Sequence, residues 1–197
     1  MSRSSWPWGR RLPWWAAWAA ALLAAAGCGG SGEVPPDGEP ASLDRYELGG
    51  DFELVDQRGE AFTLSQRRGR PLLLFFGFTR CAATCPTTLS KLGEVVRRLP
   101  APEVEVLLVS VDPGHDTPEA LAEYCAGYPY RLTGLTGTPE AVAAVARQYG
   151  AGFGPDDDGE IGHTSRTYLI DGEGVVRFLF SDQDGVEMMA GVIRRLL

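Results

Sequence analysis

The sequence predicts an α/β domain: a central mixed β-sheet flanked by helices, with an N-terminal β-hairpin leading into it. Two apolar runs of strand length, residues 72–76 (LLLFF) and 104–111 (VEVLLVSV), alternate with segments whose apolar residues recur at helical spacing. Shorter runs bounded by turn residues stand before and after this alternation. Two cysteines, Cys81 and Cys85, follow the first apolar run in a short loop that opens onto a helical pattern. The rest of the domain is organised around that loop.

In order along the chain, residues 52–55 (FELV) and 61–64 (AFTL) flank Asp56-Gln57-Arg58-Gly59 and read as a hairpin. Residues 72–76 form the first buried strand. Leu89, Leu92, Val95, Val96 and Leu99 then lie on one helical face that stops at Pro100. Residues 104–111 form the second buried strand, closed by Asp112-Pro113. Thr117-Pro118-Glu119 starts a helix, with the Thr117 hydroxyl as cap and Pro118 in the first position, and this helix carries Tyr124 and Cys125. Thr138-Pro139-Glu140 opens another in the same way, running to about Tyr149. Residues 166–170 and 175–180 are strands around the turn Asp171-Gly172-Glu173-Gly174, and residues 186–197 close the chain as an amphipathic helix. The order β-β-β-α-β-α-α-β-β-α, with cysteines after the first buried strand, is a thioredoxin-like layout.

The first 27 residues stand outside this fold. Arg3, Arg10 and Arg11 precede an apolar stretch, residues 13–26, rich in Ala, Leu and Trp, which is the pattern of an export signal. It ends Ala25-Ala26-Gly27-Cys28, similar to the lipobox at which bacterial lipoproteins are cut before a cysteine that receives lipid. The alternative is an uncut membrane anchor, although the run is short against the ~20 residues a span requires. Residues 28–43, rich in Gly, Pro and acid, read as a flexible tether. The folded part, residues 44–197, is about 150 residues, enough for one domain with its own core.

The chain carries 18 basic and 26 acidic residues, a formal charge of −8, and losing residues 1–27 removes three arginines and no acid, which leaves −11. A domain this acidic, with Lys91 as its one lysine, excludes nucleic acid as the expected partner.

Four cysteines have four different settings. Cys28 belongs to the signal end, and Cys125 reads as a small buried hydrophobe. Cys81 and Cys85 can make and break a disulfide or hold a soft metal. A purely structural bridge is the weaker reading, because so short a loop gains little from being closed. With Pro86 in the first helical position, Cys85 is expected at the helix N-terminus, where N–H groups and the dipole favour a thiolate.

The spacing is C-x3-C, one residue wider than in thioredoxins, so both sulfurs can face one point without being forced into a bond. Thioredoxin-like oxidoreductases usually place a cis-proline ahead of the strand facing their active site. Here the corresponding stretch, Gly162-His163-Thr164-Ser165-Arg166-Thr167, has no proline and has a histidine instead. Two thiolates and one imidazole suit Cu(I), whereas zinc asks for a fourth ligand that the sequence does not offer. His163 is therefore the expected third ligand. His115, in the loop after the second buried strand, reads as a solvated residue with at most an accessory role.

Residues 78–89 (FTRCAATCPTTL), the pair Val109-Ser110-Val111-Asp112-Pro113 and Asp116-Thr117-Pro118-Glu119, and His163-Thr164-Ser165 leading into Tyr168-Leu169-Ile170-Asp171 together resemble the Sco (SenC) family. The three motifs stand in order across nearly the whole domain. The resemblance implies a thioredoxin-fold copper protein tethered to the outer face of the bacterial cytoplasmic membrane. Such proteins assist assembly of the dinuclear copper centre of cytochrome c oxidase, as copper donor, as reductant of its cysteines, or both. Its partners would be the copper-site subunit of that oxidase and other periplasmic copper chaperones or thiol reductants. Carried over by residue, Cys81 and Cys85 are the thiolate ligands and redox pair, and His163 the third ligand. The sequence departs from the family at Ala82, where Pro is common, and at Gly162, where an Asp is common.

Overall fold

The computed structural model describes residues 43–100, 104–155, 161–163 and 165–197, with only the backbone of residues 155 and 161–163. β1 (Glu53–Asp56) and β2 (Ala61–Thr63) form the expected hairpin, with Leu54 opposite Phe62. Asp56 shapes its turn: one carboxylate oxygen accepts the backbone N–H groups of Arg58 and Glu60 at 2.8 and 3.1 Å. A short 3-10 turn, Leu64–Arg67, follows and leads to β3 (Leu72–Gly77), buried at every position.

From β3 the chain enters α1 (Thr84–Arg97), returns through β4 (Glu105–Ser110), and passes through α2 (Pro118–Ala126) to β5 (Leu132–Thr136) and α3 (Pro139–Gln148). A two-stranded hairpin, β6 (Phe153–Pro155) and β7 (Ile161–His163), stands apart from the main sheet. β8 (Thr167–Ile170), β9 (Val176–Phe180) and α4 (Val186–Arg194) complete the described chain. Thr117 and Thr138 cap α2 and α3 as their sequences predict, their hydroxyls accepting the N–H of Ala120 and Ala141.

The main sheet has seven strands in the order β2-β1-β5-β4-β3-β8-β9. β3, β4 and β5 are parallel; β1 joins β5 and β8 joins β3 antiparallel. The architecture is the thioredoxin-like α/β class expected, with one buried strand and one outlying hairpin more than the sequence suggested. β5 reads LTGLT, too polar and too rich in Gly to announce itself as a buried strand. Gly134 is there for packing: a Cβ added to it would lie 3.0 Å from the Cys125 sulfur and 3.1 Å from Leu121 of α2.

Side chains alternate across β3, and the two faces have separate tasks. Phe76 joins a buried aromatic group with Tyr149 and Tyr168, ring centroids 5.5 to 6.0 Å apart, anchored where the Tyr149 hydroxyl donates to the Gly50 carbonyl. Phe75 and Gly77 face the other way, toward Cys85 at the start of α1. A cavity of about 310 Å³ lined by Asp56, Arg58, Arg67, Glu105 and Arg131 lies at the opposite end of the strands from the cysteines and is no part of their site.

Candidate metal centre

β3 delivers the chain into a six-residue loop, 78–83, at the C-terminal end of the parallel strands. α1 begins at Thr84, one residue before Cys85, so Pro86 is its third residue and not its first. The proline is still tolerated there, because the first four N–H groups of a helix have no partner within it. Ala83 occupies the cap position and has no side chain to accept from those groups. The Cys81 sulfur does so instead, lying 3.3 Å from the Cys85 N–H.

This inverts the expected roles of the two thiols. Cys85, fully buried, has its thiol pushed up to about 12, chiefly by burial, with the neighbouring Cys81 and Asp116 adding to the effect. Cys81 is half-buried; burial acts against its thiolate, but the Cys85 N–H and thiol and the N–H groups of Ala83 and Thr84 outweigh it and hold its pKa below the usual cysteine value. The helix N-terminus favours a thiolate, as predicted, but on the cysteine ahead of the helix. Gly77 permits this close approach: a Cβ on it would stand 2.9 Å from the Cys85 sulfur and 2.8 Å from the Phe75 ring.

The loop after β4 holds the loop after β3. Asp116, completely buried, accepts the backbone N–H of Thr79 at 3.0 Å, the Thr79 hydroxyl at 2.6 Å and the Ser110 hydroxyl at 2.6 Å. Asp112 accepts from the Arg80 guanidinium at 2.6 and 3.2 Å, and its own N–H donates to Ser110 Oγ. Hydrogen bonds to a charged acceptor contribute about 1.5–3 kcal/mol each when shielded from water. Sequence reading used Asp112 and Asp116 only as parts of a motif, and their spacing four apart was the one available signal.

His115 is exposed, as expected of a loop residue, and it also has polar partners. Its Nδ1 lies 2.9 Å from Asp112 Oδ1 and 3.0 Å from Arg80 Nη2. Arg80 and His115 thus converge on the Asp112 carboxylate. Cys125 is buried on α2 against β5, its thiol raised to about 11 by burial, and it belongs to the core as expected.

His163 ends β7, with Phe153 as its register partner, and its side chain lies outside the described residues. Thr167, the first residue of β8, pairs with Phe75 of β3. Three residues separate His163 from Thr167, four Cα steps and at most ~14 Å of extended chain. Cys28, the acidic run 156–158 and the export segment also lie outside the described residues. Among the described residues no group of three His, Cys, Asp or Glu side chains is arranged to hold a metal, and no helix is long and apolar enough to cross a membrane. The described part of the site is thus a pair of thiols, Cys81 half-buried with its pKa lowered and Cys85 fully buried with its pKa raised.

Comparison with known proteins identifies the family. The SCO1/SenC family model matches residues 40–197. An SCO2-like protein of Rickettsia conorii is 38% identical over 155 residues, covering 74% of this chain and 76% of that protein. Among solved structures, Bradyrhizobium japonicum ScoI with copper bound is 35% identical with a TM-score of 0.68, over 76% of this chain and 99% of that one. Yeast Sco1 with copper bound is 29% identical with a TM-score of 0.70, over 76% of this chain and 88% of that one. The chain belongs to the SCO1/SenC family.

Proposed function

We propose that this protein binds copper and serves the assembly of cytochrome c oxidase, holding one copper through Cys81, Cys85 and His163. The observation that carries the reading is the dithiol itself: two cysteines at the open end of the parallel strands, the sulfur of the first hydrogen-bonded by the second's backbone N–H. Copper is cargo here. Two thiolates give a soft cation a preferred seat, and a neutral imidazole completes a low-coordinate set. Similarity to ScoI and Sco1 structures with copper bound supports the choice of metal.

Within that reading the two thiols have separate parts. Cys81, the more accessible thiol and the one whose pKa is lowered, makes first contact with incoming copper. Cys85 gives up its proton only as the metal arrives and closes the pair. Transfer to thiolates of the oxidase's copper-site subunit runs by stepwise exchange, each new sulfur replacing one of these ligands. An N-terminal anchor, lipid on Cys28 or an uncut helix, would keep the domain at the outer face of the cytoplasmic membrane beside that subunit.

A second reading rests on the same asymmetry. A half-buried thiol of lowered pKa followed by a buried one of raised pKa suits thiol–disulfide exchange, with Cys81 attacking a partner's disulfide and Cys85 resolving the mixed disulfide. The partner gains two electrons and two protons, and Cys81 and Cys85 become the disulfide. Anaerobic titration of the reduced protein with Cu(I) against a competing chelator separates the readings. One tightly held copper, lost in the Cys81→Ser/Cys85→Ser protein and weakened in His163→Ala, supports copper carriage. Binding too weak to compete, or indifferent to His163→Ala, leaves the dithiol as a reductant alone.

A further inference from the structure

The loop that carries the thiols is tied both within itself, by Cys85 N–H to the Cys81 sulfur, and to the loop after β4. Between the end of β3 and the start of α1, Cys81 N–H reaches the Phe78 carbonyl only at 3.4 Å, and Ala83 lends no side chain to the helix start. The hold from outside comes from the end of β4 and the loop after it. Asp116 takes both donors of Thr79, two residues before Cys81, and shares the Ser110 hydroxyl that also accepts from Asp112 N–H. Asp116 is itself immobile: its N–H donates to the Asp112 carbonyl at 2.9 Å, and the next residue caps α2. Asp116 also adds to the raised pKa of Cys85, but burial is the larger cause there, and a buried carboxylate is costly unless it is fully hydrogen-bonded.

We infer that Asp116 is a positioning residue for the thiol pair, clamping Thr79 so that the Cys81 sulfur is held against the start of α1 within reach of Cys85. The inference rests on reading Cys81 and Cys85 as a working pair, and it requires no copper. Its measurable consequence is the effective concentration of one sulfur for the other. A loop free to wander presents Cys81 to Cys85 a smaller fraction of the time, so the disulfide becomes easier to reduce.

The test is the equilibrium of the metal-free full chain with dithiothreitol. Dithiothreitol passes two electrons and two protons to the Cys81–Cys85 disulfide and closes into its own cyclic disulfide, leaving two protein thiols. Alkylation and peptide mass mapping read the ratio, with the buried Cys125 as an internal monitor of global opening. In Asp116→Ala the disulfide is expected to be about tenfold easier to reduce, equivalent to ~30 mV. Asp116→Asn keeps an oxygen for Thr79 N–H and Ser110, while its amide can donate to a turned Thr79 hydroxyl, and is expected to recover most of that loss. Thr79→Val, which removes only the hydroxyl and spares the buried acid, is expected to fall between.

An Asp116→Ala protein with the wild-type equilibrium would overturn the clamp. So would Asp116→Asn shifting as far as Asp116→Ala, which would assign the role to charge, or Cys125 becoming labelled in step with the shift, which would mark general loosening. If Asp116→Ala does not fold, an unchanged equilibrium in Thr79→Val overturns the clamp by itself. Failure of the wild-type protein to form a Cys81–Cys85 disulfide at all removes the working-pair reading instead, so the two failures are told apart.

Discussion

The backbone N–H of Cys85 points at the sulfur of Cys81 across 3.3 Å, so one cysteine caps the helix that carries the other. A sulfur accepting from a helix N-terminus is favoured as thiolate, while a sulfur sunk below the same terminus among Phe75 and Gly77 is favoured as thiol.

Cys81 should therefore react first with electrophiles. Its pKa lies below the ordinary 9.0, whereas Cys85 stands at about 12 and Cys125 at about 11. As pH rises from 6 toward 9, labelling of Cys81 by iodoacetamide should climb earlier than for a simple thiol. The other two should lag it at least about a hundredfold through that range, each pH unit below the pKa costing a factor of ten in thiolate. Mass mapping of the adducts checks this, and Cys85 labelled ahead of Cys81 contradicts the assignment.

His163→Ala should lower Cu(I) affinity by about ten- to a hundredfold and leave the Cys81–Cys85 disulfide equilibrium where it was. The side chain takes part in copper binding alone under the proposed reading. Chelator competition and dithiothreitol equilibration on the same preparation measure the two effects separately.

Gly77→Ala should be poorly tolerated although the position has no unusual backbone conformation. The added methyl meets the Cys85 sulfur at 2.9 Å, the Phe75 ring at 2.8 Å and Leu108 at 3.2 Å. Overpacking of this kind costs about 1–3 kcal/mol. Urea unfolding should show that loss, and labelling of Cys85 should rise as α1 is pushed from the sheet. A midpoint equal to wild type would show that α1 yields freely.

Asp56 should make the domain acid-sensitive. Burial opposes its charge, but the Arg58 guanidinium and the backbone N–H groups of Arg58 and Glu60 prevail and hold its pKa below the usual carboxylate value of 3.8. A depressed folded-state pKa gives stability that is present above the unfolded value and is lost as pH falls through the folded one. Unfolding followed from pH 7 downward should weaken below about pH 4. Asp56→Asn should be less stable at pH 7 by about 1–3 kcal/mol and lose less on acidification. Most of that comes from the backbone donors, since Arg58 is exposed and solvent screens it.

How much of this was legible in the sequence follows from how local each signal is. Thr117-Pro118 and Thr138-Pro139 state their helix starts within three residues, and both starts are where they read. The run at 72–76 could only be a buried strand, and the pair of cysteines beyond it could only stand at its end. β5 was hidden because its strand character comes from its place between β1 and β4 and not from its composition. The β6–β7 hairpin was hidden in a stretch of Gly, Pro and Asp that resembles a loop. The exchange of roles between Cys81 and Cys85 turned on a shift of two residues in the helix start, a boundary no pattern fixes. Least legible was the hold of Asp116 on Thr79, which joins residues 37 apart through hydrogen bonds that leave no periodicity behind.

The place of β3 in the sheet also governs when the site can exist. Its parallel neighbour β4 ends at Ser110, but its antiparallel neighbour β8 starts only at Thr167, pairing with Phe75 across more than ninety residues. A chain emerging from its N-terminus can therefore dock β3 on β4 and settle the cysteine loop well before His163 arrives, because contacts distant in sequence form late. Under the proposed ligand set, the two thiols stand together for an interval before His163 can join them.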